Sequence, residues 1–242
     1  MIFTPVHDSW QPIVRAAYAS MDSDYRHFLE TDKKWLPGID KCFNAFSLPM
    51  QKTRYILFGE SPYPRAVSAN GFAFWDATIN TLFSPTGFST PVNRATSMRN
   101  FLKMLLVTEG LLSPQKMSQP DIAALDKTTL IQTADELFHK LLGQGFLLLN
   151  ANLSLSTRYK VSVENHYWQP FIQVILESLK AQSLELILMG NIAKRITLLS
   201  ESKHFTQHIF MHPYNLPFIA DKAVQSFFGP FHLLQKNATV SP

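Results

Sequence analysis

Three apolar runs in this chain each end in polar residues suited to meeting a flat, hydrogen-bonding ligand. Arg54-Tyr55-Ile56-Leu57-Phe58 leads into Gly59-Glu60-Ser61-Pro62-Tyr63-Pro64, Phe146-Leu147-Leu148-Leu149 into Asn150, and His208-Ile209-Phe210-Met211 into His212-Pro213. The Asn150 amide carries donors and an acceptor side by side, which is what reading the edge of a nucleobase requires. Short apolar runs of this kind read as buried parallel strands, and an open α/β sheet holds its ligand beyond the carboxyl ends of such strands. Polar groups from separate strands then converge.

The elements that must do this positioning alternate between α and β signals. The spacing of Trp10, Ile13, Val14, Ala17 and Tyr18 predicts a helix over residues 10–30, and Ser97 to Leu106 reads as another. The first strand covers residues 54–58. Thr128 to Leu142 is amphipathic and stops at Gly143, a favoured residue after a helix end, before the strand Phe146 to Leu149. Tyr167 to Ala181, with Pro170 placed in its first turn, leads to the strand Leu184 to Met189, after which Gly190-Asn191 opens a further helix. A last strand precedes His212, and a final helix begins near Ala220. Residues 74–96 hold Pro85, Gly87 and Pro91 without a clear period, and their conformation stays open.

Taken singly, each polar motif has a simpler reading. Gly59 to Pro64 is built of turn-forming residues, Asn150 suits a helix cap or Asx turn, and His212 beside a proline suits a hydrogen-bonded loop. Phe74 and Trp75 suit a core, Tyr63 can pack its ring at a surface, and an exposed Leu216 needs no explanation. Some chemistry is excluded outright. Gly59-Glu60-Ser61-Pro62-Tyr63 resembles a nucleophile elbow, but its fifth residue is not glycine, and Pro62 lacks the N–H that would build half of an oxyanion hole. No dinucleotide or P-loop glycine pattern follows the first strand, and no His/Cys/Glu spacing suggests a metal helix. No cofactor and no metal are expected.

Composition sets the class. At 242 residues and 46% hydrophobic the chain suffices for one domain over residues 1–242. It has no apolar run near the ~18 residues of a membrane span, and Met1-Ile2-Phe3-Thr4-Pro5 lacks a signal peptide's basic start and apolar core. An intracellular protein is expected, cytoplasmic or nucleoid-associated, with a nuclear location left open. The lone Cys42 forms no internal disulfide and reads as a small buried apolar residue. A net charge of +4 and a pI near 9.1 permit phosphate contact without demanding it.

In combination the motifs resemble the uracil-DNA glycosylase superfamily, most closely its classical branch, with signatures Gly-Gln-Asp-Pro-Tyr-His, Leu-Leu-Leu-Asn and His-Pro-Ser-Pro-Leu. Gly59 to Pro64, Asn70-Gly71-Phe72-Ala73-Phe74, Ser97-Met98-Arg99-Asn100, Leu147-Leu148-Leu149-Asn150, Leu188-Met189-Gly190-Asn191 and His212-Pro213-Tyr214-Asn215-Leu216 follow the family order, and Phe227-Phe228-Gly229 extends it. The resemblance implies a three-layer α/β/α fold around a central, mainly parallel four-stranded sheet. It also implies base flipping: Asn150 pairs with N3–H and O4 of uracil, Phe74 stacks on the base, and Tyr63 crowds C5 against thymine. His212 then donates to O2 as the base departs, and Leu216 fills the vacated stack. Gly190, Asn191, Ser97 and Ser154 fall at phosphate contacts. DNA is the expected partner, and a monomer the expected state.

The departures gather at the catalytic step. The family's water-positioning aspartate is Ser61 here, its glutamine Glu60 and its histidine Pro64. A hydroxyl is neutral at pH 7 and cannot match a carboxylate beside a developing sugar cation. Losing one preorganised group of this kind typically costs on the order of 10²- to 10³-fold in rate. Other branches with motifs such as Gly-Glu-Ala-Pro-Gly also lack the aspartate yet include active glycosylases, and Glu60 is either a substitute carboxylate or a solvated acid. Two functions follow: a slow or altered glycosylase using Ser61 or Glu60 to hold water, and a catalytically silent DNA- or protein-binding module of the same fold.

Overall fold

A computed structural model describes residues 5–236. Residues 1–4, which with Pro5 were expected to lack a signal peptide, lie outside them. The chain forms two compact units, the first from Met1–Ala77 with Gly145–Ile209 and the second from Thr78–Gln144 with Phe210–Pro242. Among the described residues six strands occur in chain order: β1 Tyr55–Gly59, β2 Phe83–Ser84, β3 Gly87–Phe88, β4 Phe146–Asn150, β5 Glu185–Met189 and β6 Thr206–Phe210.

The first unit carries the central sheet, ordered β4-β1-β5-β6, with β1 parallel to both β4 and β5. Its strands are apolar at nearly every position because both faces are covered. Ile56 and Phe58, Leu147 and Leu149, and Leu186 and Leu188 join a core that includes Trp10, Phe46, Trp168 and Phe171. The alternating Leu57, Leu148 and Ile187 are buried as well. β6 lies at the sheet edge with Ile209 exposed, which explains its mixed composition.

Local chemistry corrects several expected boundaries. The helix predicted over residues 10–30 is two helices, Gln11–Ala19 and Ser23–Thr31, since Asp22 caps the second by accepting from the Tyr25 N–H at 2.9 Å. The helix expected from Tyr167 begins earlier and runs Val161–Leu179. Pro170 therefore sits in its interior and not its first turn, where it removes one backbone hydrogen bond. Buried Trp168, Phe171, Ile172 and Ile175 anchor the helix around that site, so packing outweighs the local loss.

In the second unit the helix expected from Thr128 starts at Ala134 and ends at Gly143, because Thr133 and Glu136 form a capping box. Residues 74–96, left open by their sequence, include the antiparallel β2–β3 pair and the helix Thr90–Arg94. Helix Thr96–Thr108 contributes buried Leu102, Leu105 and Leu106. The last α-helix among the described residues, Lys222–Phe228, begins two residues after Ala220, where Asp221 accepts from the Ala223 N–H at 2.9 Å.

Candidate active site

The carboxyl ends of β1 and β4 meet in register, Gly59 opposite Asn150. Asn150 is only 4% exposed, and among the described residues its side-chain amide has no protein partner. Its oxygen and nitrogen keep solvent access, which leaves a donor and an acceptor side by side for a ligand. Gly59 makes room for it. A Cβ added there would lie 2.4 Å from Asn150 Oδ1 and 2.8 Å from Ala73 Cβ. The backbone is equally fixed: Ala151 N–H donates to Gly59 O at 2.9 Å, and Asn152 N–H to Glu60 O at 3.0 Å.

Glu60 and Ser61 follow β1 directly, Glu60 exposed and Ser61 half-buried. The segment beyond them folds back on itself. Tyr63 Oη donates to Phe74 O at 3.1 Å, Ala77 N–H to Ser68 O at 3.1 Å, and exposed Arg65 pairs with buried Asp76 at 3.1 Å. Burial, with the Asp76 charge adding, pushes the Tyr63 phenol up to about 12, so it stays a neutral donor through the physiological range. Phe74 adopts a left-handed backbone with φ of 63°. That conformation costs a bulky residue about 1–3 kcal/mol and persists only where its surroundings enforce it. The Tyr63 hydrogen bond and the Ala73 N–H to Leu148 O bond at 3.0 Å supply that enforcement.

Gly190 has a φ of 73° and caps the short helix Asn191–Ile196, whose first residue is exposed. Glycine alone tolerates that turn without strain. Ser154 departs from its expected role. It is fully buried, its hydroxyl accepting from Trp168 Nε1 at 2.7 Å and lying 2.8 Å from Tyr25 Oη, so the side chain braces the core and is removed from the candidate phosphate contacts.

The second unit holds Ser97, His212 and Leu216. Ser97 stands in the first turn of helix Thr96–Thr108, whose Ala95 cap offers no side-chain acceptor for the initial N–H groups. His212 Nδ1 accepts from the Tyr214 backbone N–H at 3.1 Å. A backbone N–H can only donate, so Nδ1 is the lone-pair nitrogen and a neutral ring carries its proton on Nε2. Sequence could not supply this tautomer. The same loop is held by Asn100, fully buried, whose amide donates to Pro213 O at 2.8 Å and to Tyr214 O at 3.3 Å. Tyr214 and Leu216 project from it, 65% and 68% exposed.

An amide at the carboxyl end of parallel strands, beside an enforced aromatic turn, places the polar residues where open α/β sheets hold their ligands. No protein-family profile matches the chain. The wild-type UNG crystal structure from Nitratifractor salsuginis superposes with a TM-score of 0.93 at 39% identity, covering 96% of this chain and 94% of that one. Uracil-DNA glycosylases of Campylobacter fetus and Streptococcus mutans are each 26% identical, over 96% of this chain and 87% and 92% of theirs. The chain belongs to the uracil-DNA glycosylase superfamily.

Proposed function

We propose that this protein is a uracil-DNA glycosylase that hydrolyses the N-glycosidic bond of a flipped-out uracil in DNA repair, acting as an intracellular monomer. Asn150 carries the reading: it stands at the end of β4, Gly59 keeps its Oδ1 clear, and its donor and acceptor match O4 and N3–H of uracil. Cytosine presents the opposite pattern. Phe74 stacks on the base, and Tyr63 stands against C5. His212 donates through Nε2 to O2 as charge accumulates there, an interaction that accelerates release to the extent that it strengthens in the transition state.

Ser61 or Glu60 orients the attacking water. With no carboxylate at residue 61 the chemical step is slow for the family. Gly190, Asn191 and Ser97 place backbone or hydroxyl donors on phosphates, and Leu216 fills the gap left in the stack. Incubation with uracil-, hypoxanthine- and thymine-mismatch oligonucleotides, followed by alkaline cleavage at abasic sites, tests this. Strand scission at uracil alone is expected. Tight binding to the same DNA without scission would establish the silent module, for which the Ser61 substitution is the favouring observation.

A further inference from the structure

We propose that Arg195 is a positioning residue for the base site, acting through Ala151–Asn152, the pair that directly follows Asn150. Its kinetic consequence rests on the glycosylase reading above. Arg195 lies on the short helix after β5, and neither its position nor its spacing stood out in the sequence. Its Nη1 donates to Asn165 Oδ1 at 2.7 Å, while Nη2 donates to Asn165 O at 3.1 Å and reaches Ala151 O at 3.4 Å. Asn165 Oδ1 accepts a second donor, the Nδ2 of fully buried Asn152, at 2.6 Å. One oxygen on the long helix thus joins a guanidinium to the segment after β4.

The other side of that segment is tied to β1 by the Ala151 and Asn152 N–H bonds to Gly59 and Glu60. Ala151 is therefore held at both its N–H and its carbonyl. Asn150, one residue upstream, inherits its position from that clamp. A planar guanidinium can span these acceptors at once, whereas an ammonium is a point donor. Partial burial lowers the Arg195 pKa to about 10 against the pull of Glu60, so the group remains charged at neutral pH. It borders a cleft of about 430 Å³ that Glu60, His166 and exposed Lys194 also line. The competing role for a basic side chain there is a phosphate contact, for which the exposed Lys194 is better placed, since the Arg195 nitrogens point inward to protein acceptors.

The two roles differ in what they move. A misplaced reacting group lowers the chemical rate by up to ~10²-fold with little change in binding, whereas a lost phosphate contact weakens binding and reduces the salt slope by about one. Arg195→Met and Asn165→Leu are each expected to lower single-turnover uracil release at least ~10-fold, with KM and salt slope near wild type. Arg195→Lys should recover only part of the rate, and Asn165→Asp, which keeps the shared acceptor, most of it. A rise in KM with a shallower salt slope, or wild-type kinetics in Arg195→Met and Asn165→Leu, overturns the proposal.

A second readout requires no turnover. The side-chain NH₂ resonances of Asn150, assigned through Asn150→Asp, should be one sharp pair in wild type and Asn165→Asp, and shifted or broadened in Arg195→Met and Asn165→Leu. Unchanged resonances in those two variants overturn the positioning role. Inactive wild-type protein with the expected resonance changes would overturn the glycosylase reading alone.

Discussion

Gly59 is a position where the smallest possible change meets the site directly. Gly59→Ala forces its methyl group onto Asn150 Oδ1 and Ala73, and overpacking of this type costs about 1–3 kcal/mol. Uracil release is expected to fall ~10²-fold, the scale of a displaced reacting group, while the melting temperature drops only by several degrees. A rate loss no larger than the stability loss would show that the amide has room to move. Asn150→Asp turns a donor and acceptor into acceptors only, so it should repel O4 and receive the exocyclic amine of cytosine. Oligonucleotide cleavage should show weaker uracil excision and some cytosine release. Ser61→Asp restores a carboxylate beside the departing sugar and is expected to raise single-turnover release at least ~10-fold, a gain that His212→Ala removes. No gain in a folded, DNA-binding Ser61→Asp protein would shift the acid role to Glu60, which Glu60→Gln then tests.

Among the elements, the long helix Val161–Leu179 carries a fully buried carboxyl, Glu164, which accepts from Ser156 N–H at 2.9 Å and Ser156 Oγ at 2.6 Å. Burial raises its pKa above the ordinary 4.5, partly offset by the two Ser156 hydrogen bonds. Since the folded value exceeds the unfolded one, the proton stabilises the fold: the contribution is complete below about pH 4.5 and is lost as pH rises through the folded value. Glu164→Gln removes that dependence. Its melting temperature relative to wild type should therefore increase between pH 4 and pH 8, and a constant difference would count against the linkage. This helix also shows where sequence reading stops. The strands were legible because Leu147 to Leu149 and Leu186 to Leu188 are apolar on both faces, and the sheet's contents followed. Pro170 suggested a helix start because its local cost is visible, whereas the core holding the helix through it comes from residues far away in the chain. The residues proposed to meet the ligand stood out as motifs at strand ends. Arg195, Asn165 and the core role of Ser154 were not, because each is defined by partners that no local pattern marks.

Across the whole molecule, the chain crosses between its two units three times, so the sheet unit is discontinuous in sequence and each unit carries part of the motif set. Among the described residues no helix is long and apolar enough to cross a membrane. The net charge of +4 is modest, and DNA affinity should come from a few specific phosphate contacts. Affinity is expected to decline with salt at a slope matching those few contacts, as titration by fluorescence anisotropy would record. Leu216→Ala should leave that slope intact while weakening capture of the flipped base, seen as slower uracil release at unchanged non-specific affinity. Salt-independent binding would point away from DNA.

On the proposed site, the hydrogen bond from Tyr63 to the carbonyl of Phe74 couples the width of the base pocket to its rigidity. Shortening Tyr63 would remove one of the two restraints on a residue at φ 63°, so any gain in room at the proposed C5 contact would come with a looser stacking turn.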